Sequence, residues 1–285
     1  MNLFGVKARV DDRRWIAELG ECAGCVSGLT RPLTSSIPAL LTGSVVLGGK
    51  GVPFQVAMRA GCAIGLTAMA GFLFDNIYDL PADRITGRPT PLTQGTVSIP
   101  QAWALAATVV VSALAMSPNG AAGRLNIFTT LVALFFYSYF AHRVPWLKNM
   151  YSALIVCVPL FYGAAIAKAV VPLIYYLVLG LFTLGRETLI DVHQSDADRI
   201  TRFRTLPILV GRHRAEIAST TIIMLTGILL VLFTPGFAAR AASVLCAATI
   251  LVVLAIPLPA ARRTGMLRIP MAIGAIAIGL SLFLR

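Results

Sequence analysis

The stretch Asp75-Asn76-Ile77-Tyr78-Asp79-Leu80-Pro81-Ala82-Asp83-Arg84 follows directly after a long run of apolar residues. Its three carboxylates recur at every fourth residue, so in a helix they share one face. Pro81 is expected to kink or end such a helix, which places Asp83 in the turn beyond it. Ionisable side chains of membrane segments are costly and rare, and they are therefore candidates for function. This stretch predicts a membrane helix that leads into a functional acidic site.

A second acidic run stands later in the chain, again at the end of an apolar segment, and reads Arg186-Glu187-Thr188-Leu189-Ile190-Asp191-Val192-His193-Gln194-Ser195-Asp196-Ala197-Asp198. Glu187, Asp191, Gln194 and Asp198 share one helical face, and Asp196 falls off it. Each run is followed by arginines and a proline, so the two resemble an internal repeat. Paired repeats of this kind commonly enclose a ligand between them.

The composition identifies the class of protein. Of 285 residues, 57% are hydrophobic and only 13% are charged, whereas soluble domains carry about 25% charged residues. A membrane helix needs about 20 apolar residues. Nine apolar segments are predicted to be helical, which makes the chain an all-α polytopic membrane protein with a single domain over residues 1–285. The segments are 33–49, 53–77, 100–117, 125–141, 151–168, 170–190, 215–234, 237–260 and 267–284.

The net charge of +12 is interpreted as a membrane topology signal and not as a nucleic-acid surface, because arginines and lysines gather on the cytoplasmic side. With a cytoplasmic amino terminus, seventeen of the 24 basic residues face the cytoplasm and two lie inside spans. Residues 1–31 are predicted to form a cytoplasmic, interfacial segment. Both acidic runs then lie in cytoplasmic loops, after spans two and six. The high content of Ala, Gly and Arg favours a bacterial inner membrane. The five basic residues on the opposite side are Lys50, Arg124, Lys168, Arg240 and Arg285.

The two acidic runs have a composition that suits magnesium chemistry. Mg²⁺ takes oxygen ligands and is typically bound by one or two carboxylates together with substrate phosphates. Two facing runs can hold two or three Mg²⁺ ions around a diphosphate. The metal neutralises the charge on the diphosphate when that group departs. Arginine and lysine side chains complete such a clamp. The alternative for a single run is a solvated helix end, but seven of the twelve acidic residues fall in these two runs. The candidate diphosphate ligands are Arg88, Arg143, Lys148, Arg199 and Arg204.

These motifs resemble those of the UbiA superfamily of intramembrane prenyltransferases, from Arg31-Pro32 to the ninth span. The family motif Asn-Asp-x-x-Asp-x-x-x-Asp appears here as Asp75-Asn76-x-x-Asp79-x-x-x-Asp83, with the first two residues exchanged. The second motif, often Asp-x-x-Asp-x-x-x-Asp, reads Asp191-x-x-Gln194-x-x-x-Asp198. The Arg186-Glu187 pair and the Tyr137-Ser138 segment most resemble the digeranylgeranylglyceryl-phosphate synthase branch and related bacterial enzymes.

The resemblance implies nine transmembrane helices around a central cavity that opens to lipid. It also implies Mg²⁺ as cofactor, a prenyl diphosphate donor (C10–C20) and an aromatic or polyol-phosphate acceptor. Among the implied metal ligands, Asp79, Asp83, Asp191 and Asp198 are also predicted to be catalytic. Asn76, Tyr137 and His142 are further candidates for substrate contact. The implied metal ligands are Asp75, Asp79, Asp83, Asp191, Gln194 and Asp198.

Two alternatives remain open on sequence alone. A UbiA-type terpene cyclase would use the same site but let the substrate's own double bond capture the allylic cation. A transporter or binding protein for a phosphorylated lipid would also place repeats and charges within the membrane. The acidic residues, however, cluster at one face and do not line a path across the membrane, which favours an enzyme.

Overall fold

A computed structural model of the protein describes residues 23–141, 143–257 and 260–283. Within these residues the secondary structure is helical, with no strand, and residues 23–30 form a helical lead-in. The helices are α1 (Pro32–Leu47), α2 (Phe54–Thr86), α3 (Ile99–Met116), α4 (Gly120–Ala141), α5 (Lys148–Ile155), α6 (Val158–Ala167), α7 (Leu173–Ile200), α8 (Leu206–Val210), α9 (Arg212–Phe233), α10 (Phe237–Ala255), α11 (Ala260–Met266) and α12 (Arg268–Phe283).

The helices correspond to the predicted membrane spans. In the part of the chain that the structure describes, eight helical stretches are long and apolar enough to cross a membrane. The remaining predicted span corresponds to α1, a shorter apolar helix of 16 residues. One span, Lys148–Ala167, is divided into α5 and α6, with Pro159 near the start of the second piece. The all-helical, multi-pass membrane architecture is thus confirmed.

The two acidic runs lie inside helices and not in loops, so that prediction was wrong. Helix α2 continues through Pro81 for 33 residues and ends only at Gly87, whose φ of 68° forms a left-handed cap. A membrane helix can tolerate a proline where neighbouring groups satisfy the freed carbonyl, and glycine is the usual residue at such a cap. Asp83 is therefore helical and does not lie in a turn beyond the proline. Helix α7 likewise contains the whole second run.

Close helix packing brings the two halves together. One apolar cluster gathers side chains of α2, α3 and α4, and a second gathers those of α7, α9, α10 and α12. Helix α1 contacts α2, α6 and α12. A Cβ atom at Gly61 would lie 2.8 Å from the Ala39 carbonyl oxygen, so glycine permits α1 and α2 to approach closely, as is common in membranes. The acidic ends of α2 and α7 border one cavity between these halves.

Candidate active site

A cavity of about 350 Å³ lies between the ends of α2, α4, α5 and α7. Both acidic runs contribute side chains to its wall, as the sequence predicted. Basic side chains line the same space, so that carboxylates and cations face one ligand volume. The lining residues are Asp75, Asp79, Ala82, Asp83, Thr86, Arg88, Tyr137, Ser138, Pro145, Lys148, Gln194, Ala197, Asp198, Thr201, Phe203 and Thr205.

The α2 wall presents three carboxylates to the cavity. Ser138, on α4, donates a hydrogen bond to the Asp75 carboxylate. Asp83 is only 6% exposed, and its Oδ1 lies 3.4 Å from Nη1 of Arg88. The loop that carries Arg88 is ordered by Thr93, whose hydroxyl donates to the Arg88 carbonyl oxygen at 2.9 Å. These contacts hold two of the carboxylates and one arginine at the same wall.

The α7 wall is built differently. Gln194 and Asp198 line the cavity, and the Thr205 hydroxyl donates to Oδ2 of Asp198 at 2.8 Å. Asp191 is 1% exposed and is not part of the lining. Its Oδ1 lies 2.6 Å from Nζ of Lys148, and its Oδ2 accepts a hydrogen bond from Nδ2 of Asn149 at 2.8 Å. The structure therefore places Asp191 behind Lys148, where it fixes that cation at the edge of the cavity.

Several other predicted site residues lie away from the cavity wall. Asn76 is buried and donates to the carbonyl oxygens of Leu29 and Phe72 at 3.1 Å and 2.7 Å. The Arg143 guanidinium lies 4.3 Å from the centre of the Tyr139 ring. Arg199 and Arg204 are exposed and do not line the cavity. His142 lies outside the described residues.

Tyr137 does line the cavity, and its surroundings fix its ring. The ring stacks on that of Tyr151, with centres 5.5 Å apart. The Ser152 hydroxyl donates to the Tyr137 hydroxyl at 3.1 Å. The aromatic face is thus held in place from two neighbouring positions of α5, and the role of Tyr137 as a substrate contact stays a prediction.

Sequence reasoning missed the groups that hold the carboxylates. Ser138, Asn149 and Thr205 each donate to one of the predicted acidic residues. Adjacency in the sequence could have identified them, because each lies next to a candidate site residue: Tyr137, Lys148 and Arg204. Spacing within a single helix cannot reveal such partners, since all three contacts join different elements.

Arg31 is a further residue near the site whose role the sequence did not predict. It precedes α1 in a left-handed conformation, with φ of 47°, which is unusual for a residue other than glycine. Its guanidinium carbon lies 4.9 Å from the centre of the Phe72 ring, and its charge interacts with those of Asp75 and Asp79. Burial lowers the pKa of Arg31 below its usual range.

The carboxylate and amide oxygens of the cavity suit a Mg²⁺ ion that takes the rest of its coordination shell from water and a bound anion. Among the described residues, no group of three or more His, Cys, Asp or Glu side chains comes close enough together to hold one ion. Mg²⁺ does not require such a cage, because it often takes one or two carboxylates and completes its shell with water and substrate phosphates. The carboxylates of α2 and α7 match this mode, in which a bound anion supplies the missing ligands.

Known proteins share both the sequence pattern and the fold. Residues 36–281 match the model of the UbiA prenyltransferase family. A digeranylgeranylglyceryl phosphate synthase of Saccharolobus solfataricus is 24% identical over 188 residues, which cover 61% of this chain. The match spans 64% of that relative's length.

Solved structures agree in fold over almost the whole chain. A UbiA homologue from Aeropyrum pernix K1 superposes with a TM-score of 0.69 at 23% identity, covering 90% of this chain and 98% of the other. A UbiA homologue from Archaeoglobus fulgidus, bound to GPP and Mg²⁺, has a TM-score of 0.64 at 18% identity and covers 91% and 99%. These matches confirm the predicted fold and family. The protein is a member of the UbiA prenyltransferase family.

Proposed function

We propose that the protein transfers a prenyl group from a prenyl diphosphate to a nucleophilic acceptor, with Mg²⁺ as cofactor. The observation that carries this proposal is the single cavity whose walls combine carboxylates of α2 and α7 with Arg88 and Lys148. Carboxylates alone would repel a diphosphate, and a site of cations alone would not need the five acidic or amide side chains that line the same cavity. A metal-bound diphosphate accounts for both kinds of group.

The residues divide into two roles under this proposal. Asp75, Asp79, Asp83, Gln194 and Asp198 would hold Mg²⁺, which neutralises charge on the departing diphosphate when it is bound. Arg88 and Lys148 would bind diphosphate oxygens that the metal leaves free, Arg88 through its planar fork of donors. Asp191 keeps Lys148 in place. Its prediction as a metal ligand remains untested, and its burial supports the positioning role instead.

The reaction breaks the bond between the allylic carbon and the diphosphate oxygen, and the electron pair leaves with the diphosphate. The carbon then carries positive charge, which an aromatic face can stabilise. The Tyr137 ring lines the cavity and is fixed by Tyr151 and Ser152. A nucleophilic carbon or oxygen of the acceptor forms the new bond and loses its proton. The proposed acceptor is an aromatic compound or a polyol phosphate, and the name of relatives such as the digeranylgeranylglyceryl phosphate synthases supports the second of these.

The proposal includes the orientation of the protein in the membrane. Basic residues flank the acidic ends of α2 and α7, and such an excess marks the cytoplasmic side. The site would therefore open to the cytoplasm, where soluble Mg²⁺ and diphosphate are available. The bacterial inner membrane stays a prediction, and the relatives named above come from archaea.

The test is turnover by purified protein in detergent with Mg²⁺ and prenyl diphosphates of C10 to C20, with and without acceptor. Diphosphate release and product mass spectrometry are the readouts. Product that forms only with an aromatic or polyol-phosphate acceptor supports the proposal. A cyclic hydrocarbon or alcohol formed without acceptor would establish the cyclase alternative. Binding of the diphosphate without its cleavage under any condition would favour the transporter or binding protein.

A further inference from the structure

The helical lead-in, residues 23–30, packs against the loop between α2 and α3. The Cys25 thiol donates to Oγ1 of Thr96 with Sγ and Oγ1 3.5 Å apart. A Cβ atom at Gly28 would lie 3.4 Å from Cγ of Pro91, so the two backbones are in close contact there. The sequence predicted only an interfacial segment before the first span, whereas the structure joins its end to a loop that contributes a cation to the cavity.

The lead-in is also anchored to helix α2. Leu29 is fully buried, and its carbonyl oxygen accepts a hydrogen bond from Nδ2 of Asn76 at 3.1 Å. Asn76 is itself buried and directly follows Asp75, a residue of the cavity wall. Breaking a buried hydrogen bond of this kind would leave its donor and acceptor without partners, which is costly. The lead-in is therefore fixed relative to α2, and the loop packs against a fixed surface.

Hydrogen bonds inside the loop connect this surface to Arg88. The Thr93 hydroxyl donates to the Arg88 carbonyl oxygen at 2.9 Å and accepts from the backbone N–H of Thr90 at 2.7 Å. Oγ1 of Thr90 in turn accepts from the backbone N–H of Thr93 at 3.1 Å. The Thr96 hydroxyl donates to the Pro91 carbonyl oxygen at 3.0 Å. Bonds between hydroxyls and nearby backbone groups stabilise turns, so the loop has one defined shape from Arg88 to Thr96.

Arg88 depends on its backbone for its position. Its side chain is 46% exposed, and its Nη1 lies 3.4 Å from Oδ1 of Asp83. Lys148, in contrast, is held by Asp191 at 2.6 Å. An exposed arginine loses rotamer freedom when it binds a ligand, and a fixed backbone reduces the part of the chain that must be ordered at that moment.

We infer that the lead-in helix and Thr93 position Arg88 for the donor diphosphate, which makes the segment before the first span part of the donor site. This inference rests on the proposed function, in which Arg88 binds diphosphate oxygens. Thr93 acts through the backbone of Arg88, and the lead-in acts through Pro91 and Thr96. These residues are positioning residues, because none of them contacts the diphosphate in this account. Their loss weakens donor binding only as long as Arg88 is present.

The experiment measures the affinity for GPP with Mg²⁺ by isothermal titration calorimetry of the full chain in detergent. Thr93→Val removes the hydroxyl and keeps the branched shape, and Thr93→Ser keeps the hydroxyl. The control is Thr108→Val, since the Thr108 hydroxyl is exposed and donates to the Ala104 carbonyl oxygen within α3 at 2.9 Å. Each variant is also made in the Arg88→Gln background, so that a double-mutant cycle isolates the coupling to Arg88.

Two glycines of the lead-in provide a matched pair that tests the helix separately from Thr93. Gly28→Ile adds branched atoms next to Pro91 and is expected to displace the loop. Gly24 lies one helical turn earlier, where an added Cβ would meet no atom of the described residues within 4 Å. Gly24→Ile therefore adds the same side chain to the same helix without touching the loop.

The inference predicts that Thr93→Val weakens GPP binding about three- to tenfold, the range for one lost hydrogen bond, and that Gly28→Ile weakens it similarly. Thr93→Ser, Thr108→Val and Gly24→Ile should keep the wild-type affinity. Arg88→Gln should weaken binding about tenfold or more, because it removes a bond to a charged group. In that background Thr93→Val and Gly28→Ile should have no further effect, which a general loosening of the fold would not produce.

Other outcomes would overturn the inference. These are wild-type affinity in Thr93→Val or Gly28→Ile, losses that persist in the Arg88→Gln background, and an equal loss in Gly24→Ile. The unfolding temperature of each variant is recorded, and Thr93→Ala replaces Thr93→Val if the latter does not fold. Wild-type affinity in Arg88→Gln would overturn the inference while leaving the metal site of the proposed function intact. If the wild type fails to bind GPP with Mg²⁺, the proposed function itself fails.

Discussion

The two acidic helices use their carboxylates differently. On α2, Asp75, Asp79 and Asp83 all line the cavity. On α7, Gln194 and Asp198 line it, whereas Asp191 is buried in contact with Lys148 and Asn149. The two acidic runs are therefore similar in sequence, but their carboxylates have different roles. The difference indicates that α2 directs its three carboxylates at the ligand. Helix α7 instead uses one carboxylate, that of Asp191, to hold the Lys148 cation in place.

Replacement of the buried carboxylate of α7 is expected to have the largest effect. Asp191→Ala removes the buried partner of Lys148, whose own side chain is 22% exposed at the edge of the cavity, and breaking a buried ion pair costs about 3–5 kcal/mol. The loss should appear as a lower unfolding temperature in detergent. The double variant Asp191→Asn with Lys148→Met should regain much of that stability but not the activity.

Asp191 would have a different role if its carboxylate bound the metal directly. In that case Asp191→Ala would keep its thermal stability and would instead require far more Mg²⁺ for turnover. The Mg²⁺ dependence of the rate is therefore measured on the same preparation, so that the positioning role and the ligand role give opposite patterns.

A carboxylate that lines the cavity is expected to behave in the reverse way. Asp198→Asn should retain the fold, because its amide can still accept from Thr205, but the charge that would hold Mg²⁺ is gone. We expect kcat to fall about 100- to 1,000-fold, the range seen when one preorganised electrostatic group is removed. Steady-state kinetics with a prenyl diphosphate measures this loss.

Asp196 offers a matched control on the same helix. Its side chain is 76% exposed and lies 3.7 Å from Arg212, off the face of the cavity. Asp196→Asn changes the net charge by the same amount but should leave kcat unchanged. Equal losses in the two variants would show that overall charge matters and not the cavity wall.

The smallest of these effects is expected at Ser138. Its hydroxyl donates to Asp75, and a hydrogen bond to a charged group contributes about 1.5–3 kcal/mol. Ser138→Ala should therefore lower kcat/KM about tenfold or more. Ser112→Ala is the control, since that exposed hydroxyl donates only to the Thr108 carbonyl oxygen at 2.8 Å. If both variants keep full activity, orientation of Asp75 by Ser138 is unimportant.

The sequence was sufficient to predict the membrane class, the spans and the family, because these depend on long apolar segments and on motifs within one helix. It also allowed the prediction that side chains of both acidic runs share one cavity, namely Asp75, Asp79, Asp83, Gln194 and Asp198. Periodicity could not show that Asp191 faces Lys148 or that Ser138 reaches Asp75. Both contacts depend on packing between helices that are distant in the chain. The end of α2 was misjudged because Gly87, and not Pro81, stops the helix.

We propose that the cavity binds Mg²⁺ and a prenyl diphosphate together, each completing the site for the other. Calorimetric titration of GPP into the wild type and Asp198→Asn, with and without Mg²⁺, tests it most directly. We predict that tight binding needs both Mg²⁺ and Asp198, and that Mg²⁺ alone binds weakly because the described residues offer no three-ligand cage. Equal affinity for GPP in all four titrations would show that neither Mg²⁺ nor Asp198 takes part in binding the diphosphate.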